Sequence, residues 1–281
     1  MNPFRTIVVG VDGRDGGRDA TAFAAALGPD ELILVAVRPD PWAVMPGAAP
    51  DPVDAQEQAA RDLEAASIQT GVVEADRVVV TDKSPARALQ QVAEDRGADL
   101  VVVGSAHRGA IGRLAMGDVS RGVLQGAPCP VAVVPRGVTG AAPASVGVGY
   151  DGTPEAQAAL ALASAWAQDR QARLKVQAAF TPPVATGAYA YVPPTAIDVG
   201  LGHLEHLLER VADTVPGDPD CQVMNGPAGI VLRDLSDHVD LLVVGSRGWG
   251  PIRRVAVGST SDYLTHHAHC PVVVVPRPSE E

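Results

Sequence analysis

Short runs of apolar, mostly β-branched residues alternate with longer alanine-rich stretches along the whole chain. In the first half, Thr6 to Val11, Glu31 to Val37, Arg77 to Val80, Leu100 to Val103 and Val131 to Val134 read as strands. Between them, Asp19 to Leu27, Asp54 to Thr70, Pro85 to Asp95 and Val119 to Leu124 read as helices. The third helix opens on a proline, where a missing N–H costs little. The strand runs are near-continuous Val and Leu, the pattern of a parallel sheet covered by helices on both faces.

The second half repeats the first. Gly97 to Ser105 (GADLVVVGS) matches His238 to Ser246 (HVDLLVVGS), and Ala127 to Arg136 (APCPVAVVPR) matches Ala268 to Arg277 (AHCPVVVVPR). Both pairs are displaced by 141 positions, and Val9 to Gly13 (VGVDG) recurs at Val148 to Gly152 (VGYDG) displaced by 139. Three ordered matches at nearly one displacement make the chain a duplication. The expected fold is α/β: two repeated doubly wound domains, each a mainly parallel five-stranded sheet with helices on both faces. The domains are expected at 1–138 and 144–281, joined by the Gly-, Ala- and Pro-rich stretch Arg136 to Ser145. Two proline-containing loops, Arg38 to Val53 and Thr181 to Ile197, follow the second strand of each repeat. That position faces a ligand crevice, so lids, flaps and interface arms all fit.

Composition narrows the functional classes. Aromatic residues are 4% of the 281, so the cores must be built from Ala, Val and Leu. The 22 basic against 33 acidic residues leave −11, which works against non-specific nucleic-acid binding. A small anion remains compatible, because backbone N–H groups and a helix terminus can hold it. Three cysteines do not make a disulfide framework and are expected as buried, inert thiols. No targeting segment and no apolar run of about 18 residues is visible, so the expectation is a cytoplasmic protein without a membrane partner.

The chemistry concentrates after the fourth strand of the second repeat, at Gly245-Ser-Arg-Gly248, followed after nine residues by Gly258-Ser259-Thr260-Ser261. Glycines there let backbone amides approach a bulky anion and take positive φ where needed. The hydroxyls of Ser259 and Ser261 lie beside the free N–H groups of a helix start. This spacing resembles the ATP-binding motif of the universal stress protein family, and the resemblance extends over nearly all of both repeats. It implies a stress-response regulatory protein that binds an adenine nucleotide, with ATP as cofactor, ADP or AMP as alternative occupants, and Mg²⁺ left open. Carried over by motif, Asp151, flanked by Gly149 and Tyr150, helps hold adenine and ribose. Ala179, at the end of the second strand, and Val244 would sit against the nucleoside. Gly245, Gly248, Gly258, Ser259, Thr260 and Ser261 fall at the phosphate end. The resemblance also implies pairing through the proline-bounded last strands. The two repeats are therefore expected to pair with each other, a homodimer of such chains fits as well, and any protein partner stays unidentified.

The first repeat departs from this motif. Gly104 remains, but His107 replaces the second glycine and Gly117-Asp118 replaces Gly-Ser. A β-carbon at His107 would crowd a phosphate, and Asp118, expected as an N-cap, would place its carboxylate at the anion position. Nucleotide is therefore expected mainly in the second domain; the rival idea is that protonated His107 offsets Asp118. Arg247, Arg253, Arg254 and Trp249 flank the intact loop as candidate ligand neighbours.

Other signals carry less. Gly147 to Gly152 fits G-x-G-x-x-G, but its first glycine falls inside a strand, and no Walker sequence is present. His203 and His206 are too few for a metal site, and His266, His267 and His269 suit a helix C-terminus. No catalytic or metal-ligating residue is assigned. The alternative to a nucleotide-binding regulator is a non-enzymatic scaffold or protein-interaction module. Slow ATP hydrolysis is the least supported reading.

Overall fold

The computed structural model describes residues 1–38, 52–72, 74–105, 114, 116–138, 140–182, 194–246 and 258–277. The first half runs β1 (Thr6–Val11), α1 (Asp15–Ala26), β2 (Glu31–Arg38), α2 (Pro52–Thr70), β3 (Asp76–Thr81), α3 (Pro85–Asp95), β4 (Leu100–Gly104), α4 (Asp118–Leu124) and β5 (Val131–Val134). The second runs β6 (Ser145–Gly149), α5 (Pro154–Arg170), β7 (Arg173–Phe180), α6 (Pro194–Thr214), β8 (Asp220–Asn225), α7 (Ala228–Leu235), β9 (Leu241–Gly245), α8 (Ser259–His267) and β10 (Val272–Val275). Each half is the expected doubly wound α/β unit. Helix α1 starts four residues before the sequence reading placed it, because its glycine-containing first turn packs against the end of β4.

The two five-stranded halves form one ten-stranded sheet in the order β3-β2-β1-β4-β5-β10-β9-β6-β7-β8. Pairing is parallel within each half and antiparallel at the junction, where Ala132 of β5 sits opposite Val273 of β10. The apolar strands pair with each other inside the chain, which hides two edges that would otherwise template association. The outer strands β3 and β8 are more exposed and carry Asp76, Arg77 and Asp220.

Apolar side chains of α1, α2, α5 and α6 cover one face of the sheet, and those of α3, α4, α7 and α8 cover the other. Both clusters draw residues from both halves, so each core runs continuously across the junction. Matching aspartates tie the starts of β1 and β4 and of β6 and β9. Asp99 accepts from the Arg5 and Thr6 N–H groups (3.1 and 2.9 Å), and Asp240 from the Ala144 N–H and Ser145 hydroxyl (3.0 and 2.8 Å). The joining stretch is pinned at its start: Arg136 pairs with Asp15 at 2.9 Å, and the Gly137 N–H donates to Asp19 at 2.8 Å. Burial pushes the Asp19 carboxyl above its usual range, and that N–H pulls it part of the way back.

Because β5 and β10 run antiparallel, the carboxyl ends of the strands point to opposite sides of the sheet in the two halves. In open α/β sheets ligands enter at those carboxyl ends. The chain thus presents two crevices, facing opposite ways.

Candidate functional site

In the second half, β6 leads into a turn that aims Asp151 over the crevice. Gly152 takes φ +78°, a left-handed conformation that suits glycine. Asp151 Oδ1 accepts from the Thr153 N–H at 3.1 Å and its hydroxyl at 2.6 Å. Thr153 caps α5, its oxygen accepting from the Ala156 N–H at 3.3 Å, with Pro154 next in line. The carboxylate is thereby oriented through one oxygen. Tyr150 is buried beside it, which pushes its phenol above the usual range, and its N–H donates to the Gln177 carbonyl of β7.

The far wall is made by β9 and α8. A Cβ at Gly245 would lie 2.7 Å from the backbone carbon of Glu155, so this glycine is required by the packing of α5 on β9. Gly258 is the N-cap of α8 at φ −75°, extended backbone that any residue adopts. Positive φ, one reason advanced for the loop glycines, therefore does not apply there. The Ser261 hydroxyl accepts from the Gly258 N–H at 2.9 Å and donates to its carbonyl at 3.1 Å, closing the first turn on itself.

These groups surround a cavity of about 110 Å³. Of the residues predicted from sequence, Gly149, Tyr150, Asp151, Ala179, Val244, Gly245, Gly258, Thr260 and Ser261 line it. Ser259 opens α8 but is not among the lining residues. Gly248, Arg247, Trp249, Arg253 and Arg254 lie outside the described residues. Sequence reasoning passed over Gln177, Leu232 and Ser246, which also line the cavity. Only Ser246 had a readable signal, its place directly after Gly245.

The first half carries the corresponding crevice, with a cavity of about 950 Å³. Gly13 repeats the turn at φ +72°, and Asp12 accepts from the Arg14 N–H at 3.2 Å. Gly104 is again structural, since a Cβ there would lie 2.2 Å from the Gly16 carbonyl oxygen. The N-cap of α4 is Gly117, in extended backbone, and Asp118 is the first helical residue. This corrects the expectation that Asp118 is the cap, but the carboxylate still lines the cavity at the helix start. The lining arginines each have an acceptor: Arg14 pairs with Asp12 (3.4 Å), Arg61 with Glu57 (3.1 Å), and Arg38 donates to Thr81 (2.6 Å). His107 lies outside the described residues.

Elsewhere the chemistry is sparse. Burial pushes the Cys129 thiol up to about 12 and the Cys270 thiol higher still, so neither is a ready nucleophile. His206 pairs with Glu209 on the exposed face of α6, and no cluster suited to a metal occurs among the described residues. No helix among those residues is long and apolar enough to cross a membrane.

Fold and crevices together define a tandem doubly wound α/β protein with a ligand-type cleft at the strand ends of each half. The chain belongs to the universal stress protein family, whose model matches residues 3–135 and again 144–276. It is 31% identical over 290 residues to universal stress protein MT2699 of Mycobacterium tuberculosis, covering 98% of this chain and 97% of that one. It is 35% identical over 136 residues to universal stress protein Rv2623 of the same species, covering 46% of each chain. That match therefore spans about half the length of the relative. In fold it is similar to a universal stress protein from Archaeoglobus fulgidus, with a TM-score of 0.74 at 17% identity, covering 98% of this chain and 99% of that one.

Proposed function

We propose that the chain is a stress-response regulator that binds an adenine nucleotide in its second half, with ATP the first candidate and ADP or AMP alternatives. The observation that carries this reading is the convergence of oriented Asp151, the Val244–Gly245 strand end and the Gly258 start of α8 on one cavity. A helix N-terminus favours a phosphate, and an aspartate at the opposite end can accept from sugar hydroxyls or a base amine. At about 110 Å³ the cavity is smaller than the roughly 300–1,000 Å³ of small-molecule sites, so a nucleotide must widen it. Asp151 and Glu155 are the carboxylates lining the cavity. We read function through occupancy ahead of slow turnover.

The much larger cavity of the first half supports a second reading, in which that crevice holds a ligand of its own. Its electrostatics argue against a phosphate. Asp118 stands at the helix start, and the nearby arginines are already engaged. A phosphate-free molecule would meet no such repulsion.

Calorimetric titration with ATP tests both readings. One site per chain is expected for the natural protein, and Asp118→Ser is expected to raise the stoichiometry towards two. An unchanged count in that variant would sink the idea that the Asp118 carboxylate blocks the first crevice.

A further inference from the structure

The Ser246 side chain is 1% exposed, and its hydroxyl has no hydrogen-bond partner among the described residues. Buried hydroxyls are rarely left in this state, because desolvation without a new partner is unfavourable. Its N–H is used in the fold, donating to the Val275 carbonyl at 2.8 Å, so the backbone position is set by the sheet and only the hydroxyl is left over. Ser246 lines the second-half cavity together with Gly258, Thr260 and Ser261 of the α8 start. Its counterpart in the first half, Ser105, is not without a partner.

A second difference lies at the same place. In the first half the Ser120 hydroxyl donates to the Gly104 carbonyl at 3.1 Å, fastening the start of α4 to the end of β4. In the second half the equivalent Ser261 turns back onto Gly258. Helix α8 thus begins without that tie to β9, and the unsatisfied hydroxyl stands beside its first turn. The Ser246 hydroxyl is thus left unpartnered among the described residues, and α8 untied from β9, in the half whose loop retains Gly258-Ser259.

We propose that Ser246 is a ligand-contacting residue whose hydroxyl donates to a phosphate oxygen of the bound nucleotide. This rests on the reading of the second half as the nucleotide site and adds to it a residue outside the Gly-Gly-Gly-Ser spacing. The chemistry is that of a neutral donor set against an anionic acceptor at a helix N-terminus. In the nucleotide-free protein the same hydroxyl is a defect, so removing it should act with opposite signs on affinity and on stability.

The experiment compares natural protein, Ser246→Ala and Ser105→Ala by calorimetric titration with ATP and with adenosine, and by melting of nucleotide-free samples. Ser246→Ala is expected to weaken ATP by about 10-fold, the loss of one hydrogen bond to a charged group. The variant should bind adenosine as the natural protein does and melt no lower without ligand. Ser105→Ala should leave ATP affinity unchanged. Natural ATP affinity in Ser246→Ala would overturn the proposal alone, as would an equal loss for adenosine, or a fall in melting temperature accompanying the loss of affinity. Failure of the natural protein to bind ATP would overturn the nucleotide site and this proposal together.

Discussion

Alanine at Gly104 or Gly245 will destabilise the protein in the absence of any nucleotide. The added Cβ at Gly104 would fall 2.2 Å from the backbone oxygen of Gly16, and at Gly245 within 2.7–2.8 Å of three Glu155 atoms. Most of these are backbone atoms at the start of a helix packed on the sheet, and backbone cannot swing aside as a side-chain tip can. Either the helix shifts or the strand end bends. Overpacking of this kind costs typically about 1–3 kcal/mol, and the Gly104 geometry points to the upper end. At roughly 2–4 °C per kcal/mol for chains approaching this size, Gly104→Ala should melt about 6 °C lower. Gly202→Ala is the contrasting control, because that exposed glycine lies within α6 and a Cβ there meets nothing within 4 Å. It should gain about 0.5–1 kcal/mol from helix propensity. Thermal melts of nucleotide-free protein check all three. Natural stability in Gly245→Ala, with binding lost, would return this glycine to a purely phosphate-contacting role.

Aspartate at Val273 is the second large effect, and it tests the junction. Val273 is fully buried, faces the core shared by α1, α2, α5 and α6, and sits opposite Ala132 across the antiparallel pair. A carboxylate there would be buried without a partner, among the few changes that cost about 4 kcal/mol or more. The folded state would hold this Asp above its unfolded value near 3.9. With a raised folded pKa, the loss is smallest at low pH, where the group is neutral in both states. It grows as pH rises through the unfolded value towards the folded one. Denaturant unfolding at acidic and neutral pH should show that trend. Because both cores cross the junction, the two halves should lose stability together. A loss under about 1 kcal/mol at neutral pH would mean the halves are not packed on each other as described.

These two effects also mark what sequence could and could not reveal. The duplication and the strand runs were readable because repetition and periodicity are written in the chain itself, whereas the last-strand pairing was implied only by the family resemblance. The start of α1 was not. Asp15 to Arg18 holds two glycines, poor helix formers, and only the close seat of Gly16 against Gly104 makes helix there intelligible. For Gly245 the sequence offered only a phosphate-side reason, whereas the structure adds crowding from Glu155, a contact 90 positions away in the chain. The first-half cavity was also out of reach, because space depends on how α2 and α3 stand over the strand ends. Ser105 and Ser246 are the same residue in the same local sequence. Only tertiary structure leaves the Ser246 hydroxyl without a partner among the described residues, while Ser105 is not without one.

The most direct measurement of the central claim is to denature purified protein and quantify the released nucleotide chromatographically, beside Ser259→Asp. That substitution gives the second half the carboxylate that Asp118 gives the first. About one adenine nucleotide per natural chain, lost in the variant, is the predicted result. No nucleotide from either protein, with no binding when ATP is added back, would contradict the account and leave a ligand-free scaffold.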